Sequence, residues 1–443
     1  MNKIITESQL EQLTLDILLE LDYEIVYGPD IACDGPRPER KSYSDVVLIE
    51  RLRKAIDKFN PEILSEVKEE AIKQILRIES QDIVSNNHRF HKIVVDGVDV
   101  EFQEKSEIAS PSARNDTKHD KVWLFDFKDP GNNEFLAVNQ FTVIENNNNR
   151  RPDIVLFING LPIAIIELKN PSDEKADTYT AFKQFQTYKA QIPSLFNFNE
   201  VLVASDGIDA LAGTITSEWE RFLAWKTIDG KEKAPKAMPQ IETLLKGMFN
   251  KDVFIDIIRH FIVFEENSKK IAAYHQYHAV NKAIDTTLKA SSAKGDKRCG
   301  VVWHTQGSGK SLIMVFYTGK LVLALDNPTI VVLTDRNDLD DQLFGTFSRC
   351  NELLRQAPVQ ADSRAKLREY LQVSSGGIVF TTIQKFFPEE KGDKYPLLSE
   401  RRNIIVIADE AHRSQYDFID GFAKHMRDAL PNASFIGFTG TPI

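Results

Sequence analysis

Apolar residues at Leu10, Leu13, Ile17, Leu18 and Leu21 recur at helical spacing behind polar Thr6-Glu7-Ser8, which predicts an amphipathic first helix. A charged helical region is expected from about Asp45 to Ser85, followed by strand-like runs at 91–102, 122–127 and 134–145. The asparagine run 146–149 reads as a polar connection. Directly after it, 151–169 reads as two apolar strands around Asn159-Gly160, a strong hairpin signal. The stretch 226–240 is charged, proline-bearing and poor in apolar residues, as linkers are, so the expected domains are 1–230 and 231–443. Beyond helical periodicity over 241–264, short Val/Ile-rich runs at 300–303, 329–333, 377–380, 404–408 and 434–438 alternate with helical spans. That alternation predicts an α/β fold with a doubly wound parallel sheet in the second domain.

A length of 443 residues exceeds one ordinary core, in keeping with two domains. With 42% hydrophobic and 27% charged residues, and no window near the roughly 20 uncharged apolar residues of a membrane span, a soluble protein without a membrane partner is expected. The N-terminus turns polar at Thr6 to Gln9 before a signal-peptide core forms, and Cys33, Cys299 and Cys350 show no CxxC spacing. Both features point to the cytoplasm. The net charge of −10 leaves nucleic acid undecided, because phosphate contacts depend on local Lys and Arg.

His304-Thr305-Gln306-Gly307-Ser308-Gly309-Lys310-Ser311 follows an apolar strand and precedes an apolar helix. Gly307, Ser308 and Gly309 let backbone N–H groups face phosphates, Lys310 reaches the terminal ones, and the Ser311 hydroxyl suits Mg2+. The strict pattern asks for glycine where this chain has His304. About 100 residues on, Asp409-Glu410-Ala411-His412 ends the strand 404–408, placing Asp409 for Mg2+ and Glu410 to polarise water. Thr439-Gly440-Thr441-Pro442 closes a third strand.

Taken in this order, the motifs resemble superfamily-2 helicases and translocases over roughly 271–443. The resemblance implies a RecA-like motor domain and assigns Lys310 and Ser311 to the phosphate loop, and Asp409, Glu410 and His412 to the acidic box. It makes Thr439 to Pro442 the motif that couples ATP state to DNA, and Gln276 the adenine-reading glutamine. Thr334 and Arg336, with Thr381 and Thr382, fall where the family touches the nucleic-acid backbone. Such motors close ATP between two lobes. No second lobe is expected within these residues, which alone should turn ATP over slowly or not at all.

In the first domain, a three-residue loop centred on Gly160 would pair Asp153 with Glu167 and set both on one face, with Lys169 added by period-two alternation. A two-residue loop would pair Asp153 with Ile166, so the arrangement requires the longer loop or a bulge. Two converging carboxylates beside a lysine can hold Mg2+ and a polarised water for phosphodiester hydrolysis. Gln184 and Tyr188, one helical turn apart, can point back at the same place.

Pro152-Asp153, Glu167-Leu168-Lys169 and Gln184 with Tyr188 resemble the PD-(D/E)xK nucleases of the QxxxY branch. In that family an acid from the first helix often completes the site, and Glu7 and Glu11 are the candidates. Nuclease first and DEAH-type motor second resembles the R subunit of type I restriction-modification enzymes. That implies ATP-driven movement of double-stranded DNA, Mg2+-dependent cutting, and assembly with methylation and specificity subunits. Two other readings stay open: a DEAH-type helicase or remodeller with an inactive nuclease-like DNA-binding module, and a nucleotide-binding switch without turnover.

Overall fold

The computed structural model describes all residues except 1–5, 104–116, 171–176, 306, 335–336, 387–395, 412–421 and 442–443. Arg336, His412 and Pro442 therefore lie outside the described residues. The chain divides into two compact units, one of residues 1–262 and 267–274, the other of 263–266 and 275–443.

The first unit is built on a seven-stranded mixed sheet in the order Glu24–Tyr27, Phe135–Asn139, Ile154–Ile158, Leu161–Leu168, Val201–Ser205, Ala210–Gly213 and Leu223–Ala224. Ile154–Ile158 and Leu161–Leu168 are buried along their whole length, as central strands covered on both faces must be. The first helix, Glu7–Glu20, opens on a capping box in which Gln9 N donates to Thr6 Oγ1 (3.3 Å) and Thr6 N to Gln9 Oε1 (3.0 Å). Helix Thr178–Gln191 packs on the strands Leu161–Leu168 and Val201–Ser205.

Four local expectations change, the first being the run 122–127, which forms no strand beyond Val122. Residues 91–96 belong to the helix Ile83–Asp96, capped by the Asp82 carboxylate and burying Phe90 and Val94, and the strand begins only at Val98. The run 134–145 splits into Phe135–Asn139 and Val143–Glu145 around Gln140, whose φ is 57°. The asparagine run is a hairpin turn, with Asn146 (φ 48°) and Asn147 (φ 65°) left-handed before the strand Asn148–Arg150.

The unit border also moves. Helices Gln240–Met248 and Lys251–His260 follow the linker-like stretch yet belong to the first unit. They bury Leu244, Leu245, Phe254 and Ile258, and Tyr23 donates its hydroxyl to the Phe249 carbonyl (2.9 Å). Lys269, fully buried, binds Glu200 at 2.5 Å and Asn87 at 2.9 Å in the same unit. Linker-like composition marks any solvated loop, whereas a border depends on which core buries the apolar face that comes next.

The second unit holds a six-stranded, all-parallel sheet ordered Arg298–Trp303, Ser434–Thr439, Ile404–Ala408, Thr329–Thr334, Ile378–Thr382 and Pro358–Gln360. Val331, Leu333, Val379 and Val406 share a core with Leu367, Leu371, Met426 and Leu430. Phe380, one residue out of phase, instead meets Phe344 and Phe347 at ring distances of 5.3 and 5.0 Å. Both faces are thus covered, which is why these strands read as continuous apolar runs. Pro358–Gln360, three residues at the sheet edge, was too short to carry a periodic signal.

Candidate functional site

The first candidate site grows out of the hairpin. Asn159 (φ 53°) and Gly160 (φ 80°) form a two-residue turn, and a Cβ on Gly160 would sit 2.4 Å from the Leu48 carbonyl oxygen. A bulge then intervenes: Phe157 pairs with Pro162 but Leu156 pairs with Ala164, leaving Ile163 unpaired. The extra residue shifts the remaining register so that Ile154 faces Ile166. Asp153 consequently stands beside Glu167 and accepts a hydrogen bond from Leu168 N (2.7 Å) on Oδ2. Of the two arrangements the hairpin geometry allowed, the bulge is the one the chain adopts.

Glu167, almost wholly buried, accepts from Lys169 Nζ on Oε1 (2.6 Å) and from the Tyr188 hydroxyl on Oε2 (3.2 Å). Gln184 hydrogen-bonds Tyr188 from one turn earlier on helix Thr178–Gln191. Asp153, Glu167, Lys169, Gln184 and Tyr188 therefore meet in one place. Of the first-helix acids, Glu11 is held by Asn139 Nδ2 (2.7 Å) and Gln140 Nε2 (2.9 Å), while Glu7 is exposed. Both add negative potential at Asp153. Asn139 and Gln140, inside the expected strand run 134–145, carried no sequence signal of their own.

Burial pushes the Asp153 carboxyl up to about 6, with the Leu168 N–H and Lys169 opposing. Burial, and then Asp153, push Glu167 up to about 8. Both folded values exceed the ordinary carboxylate range, so between roughly pH 4 and 8 the folded unit holds more protons than the unfolded chain. Stability from this pair is then lost as pH rises through that window, the reverse of a salt-bridged acid. Thermal unfolding in EDTA should show the first unit destabilised from pH 6 to pH 8 relative to a Glu167→Gln variant. Mg2+, which takes deprotonated carboxylates, should narrow the gap more at the higher pH.

The second candidate site lies at one end of the parallel sheet. Gly309 (φ 85°) caps helix Lys310–Ala324, and Gly307 (φ 78°) has nothing within 4 Å of where a Cβ would stand. Ser311 is the second residue of that helix. Lys310 Nζ reaches Asp409 Oδ1 at 2.8 Å and also contacts the Glu410 carboxylate. Burial lowers the Lys310 ammonium, and its bonds to the two acids more than offset this, leaving it above its usual range. Asp409 N donates to the Leu333 carbonyl (2.9 Å) and Ala411 N to that of Phe438 (3.0 Å), tying the acidic turn to two neighbouring strands.

Gln276, on helix Tyr274–Ser291, directs Nε2 at the carbonyls of Ser308 (3.4 Å) and Gly309 (3.5 Å), so it lies against the phosphate loop. His304, in place of the expected glycine, hydrogen-bonds Ser308 Oγ through its ring and donates N–H to the Thr439 carbonyl (2.9 Å). His275, which the sequence did not single out, lies 4.9 Å from it ring to ring. Thr439 Oγ1 accepts from Thr441 N (3.1 Å). Thr334, Thr381 and Thr382 end adjacent strands and are buried, so the structure does not present their hydroxyls at a surface. No helix among the described residues is long and apolar enough to cross a membrane.

Two family models match the chain. Residues 4–221 match the family described as type I restriction enzyme R protein N terminus, and residues 275–443 match SWI2/SNF2 ATPase. The HindI type I restriction enzyme endonuclease subunit of Haemophilus influenzae is 46% identical over 99% of this chain and 43% of its own length. The MjaIXP endonuclease subunit of Methanocaldococcus jannaschii, itself named a putative type I enzyme, is 37% identical over 98% of this chain and 42% of its own. The chain thus spans about two fifths of the length of these curated relatives. Nearly every residue of the chain thus aligns with endonuclease subunits of type I restriction enzymes, and a domain matching the R protein N terminus precedes one matching the SWI2/SNF2 ATPase.

Proposed function

We propose that the first unit cuts DNA by Mg2+-dependent phosphodiester hydrolysis at Asp153, Glu167 and Lys169, and that the second binds ATP and uses its hydrolysis to move double-stranded DNA. One observation carries the cutting half: the bulged hairpin brings the buried Glu167 carboxylate, the half-buried Asp153 carboxylate and a lysine ammonium together, with Lys169 Nζ 2.6 Å from Glu167. Buried like charges are costly unless something positive joins them. Among the described residues no group of three or more His, Cys, Asp or Glu side chains gathers that could hold a metal ion, so an ion here would rest on the two carboxylates and water. Mg2+ keeps most of its waters and takes only one or two carboxylates, so this donor set fits it.

Asp153 and Glu167 would hold the ion, which when bound activates water and neutralises charge on the phosphate. Lys169 orients the attacking water and shares the developing charge. Tyr188, itself held by Gln184, fixes Glu167 through Oε2, while Oε1 is the oxygen that Lys169 holds. In the second unit Lys310 bridges Asp409 and Glu410, and would exchange them for nucleotide phosphates. Asp409 and Ser311 are then placed for Mg2+, Glu410 for the attacking water, and Gly307, Ser308 and Gly309 for backbone contacts to phosphate. Gln276 is assigned to adenine and His412 to the acidic box. Thr334, Arg336, Thr381 and Thr382 are assigned to the DNA backbone, where the buried threonines require the strand ends to open. Methylation and specificity subunits supply target choice.

The test uses the full-length enzyme assembled with those subunits. Lys169→Ala should lower cutting of target-bearing DNA by about 10²-fold or more while DNA-stimulated ATP hydrolysis continues. Cutting that survives the change removes the nuclease assignment and leaves a motor with an inactive first module. Absence of ATP hydrolysis in the unmodified assembly leaves a nucleotide switch instead.

A further inference from the structure

At the turn end of the hairpin, away from Asp153 and Glu167, the first unit contains an aromatic and basic cavity of about 460 Å3. We infer that it binds an unpaired nucleotide, the base against Trp123 and Phe127 and the phosphate toward Lys58, Lys128 and Arg259. The five residues of Ile154–Ile158, at about 3.4 Å each, separate it from the carboxylate pair by roughly 17 Å. The inference therefore stands or falls independently of DNA cutting.

The cavity wall is rigid although residues 123–129 form no helix or strand. Buried Asn60 accepts from Trp123 N (2.7 Å) and donates to Trp123 O (2.8 Å), fixing that backbone on both sides. Buried Asn133 accepts from Asp126 N (2.9 Å) and donates back to Asp126 O (2.8 Å), and it accepts from Asn159 of the hairpin turn (2.8 Å). A wall held this way presents its rings without an ordering cost on binding. The volume falls within the roughly 300–1,000 Å3 of small-ligand sites.

The lining chemistry selects the ligand. Its charged groups are three cations and one carboxylate. That carboxylate, Asp126, already accepts from Lys128 N (2.9 Å), Asp129 N (2.9 Å) and Asn132 Nδ2 (2.9 Å), which together with the nearby charge of Lys128 keeps it anionic and leaves the lining with a net positive charge. Arg259 lies 4.6 Å from the centre of the Phe127 ring, a stacked cation and aromatic of the kind that seats bases in single-stranded nucleic-acid grooves. Lys58 gives one N–H to the Asn132 carbonyl (2.7 Å), and an ammonium has three. Aromatic planes flanked by net positive charge suit a base carrying phosphate better than an apolar peptide.

The ligand can come from an exposed DNA strand or from free nucleotide, and photocrosslinking separates the two. The 443-residue chain would be irradiated with an oligothymidylate of about 12 nucleotides bearing 5-iododeoxyuridine, and the attached peptide identified by mass spectrometry. Attachment is expected at Trp123 or Phe127. Lys128→Glu, an exposed change that leaves the Lys128 backbone bond to Asp126 in place, should cut the yield about tenfold, Trp123→Ala likewise, and Trp123→Phe should keep it. Thermal unfolding confirms that each variant folds. Suppression by millimolar thymidine monophosphate identifies free nucleotide as a competent source, and its failure to compete assigns the site to a strand. Attachment solely outside residues 58–61, 123–132 and 259, or a yield indifferent to Lys128→Glu and Trp123→Ala, overturns the inference.

Discussion

Replacing Glu167 by glutamine in the assembled full-length enzyme is expected to lower DNA cutting by about 10³-fold while leaving DNA-stimulated ATP hydrolysis intact. The substitution keeps the side chain's shape and its bond from Tyr188 but removes the charge that Lys169 now pairs with. It also relieves the electrostatic pressure between Glu167 and Asp153, each of which burial raises above the carboxylate range. Two readouts should therefore move in opposite directions. Cutting collapses, because metal and water lose a ligand, whereas the first unit gains resistance to heat near pH 8, because an unfavourable buried charge has gone. Cutting within severalfold of the unmodified enzyme would place the chemistry elsewhere. A drop in cutting together with a loss of thermal stability would mean that Glu167 is chiefly a packing group.

Lys310→Ala in the same assembly should reduce ATP hydrolysis by about 10²-fold or more and stop DNA movement with it. Lys310 balances two carboxylates, Asp409 at 2.8 Å and Glu410 beside it, and its helix begins at left-handed Gly309. Without the ammonium the pair is left uncompensated at a place that must receive an anionic nucleotide, so affinity and turnover should fall together. Nucleotide binding by calorimetry and translocation by triplex displacement would check this. Unchanged ATP affinity with slowed turnover would restrict Lys310 to the transition state, and unchanged turnover would refute the assignment.

How much of this was readable from residue order differs between the two sites. The phosphate loop and the acidic box were legible because each is contiguous: glycines, lysine and serine at fixed spacing, then carboxylates at the end of an apolar strand. Their meeting, Lys310 with Glu410 one hundred residues later, follows from two parallel strands separated by one other in the sheet. The role of His304 was not legible, because its bond to Ser308 depends on a fold of the loop that glycine would not need. Thr334, Thr381 and Thr382 fall, by resemblance, where the family touches nucleic acid, yet neighbouring elements bury them.

Residue order by itself determined most of the elements, the α/β class and the types of group able to do chemistry, because periodicity, turn residues and motif spacing are local properties of the chain. Tertiary structure alone decided two things. One was the unit border, which moved past the solvated 226–240 stretch because Leu244, Phe254 and Lys269 are buried with the first unit. The other was whether Asp153 meets Glu167. A single unpaired residue, Ile163, decides it, because strand side chains alternate between faces and one bulge shifts the pairing that follows by one position.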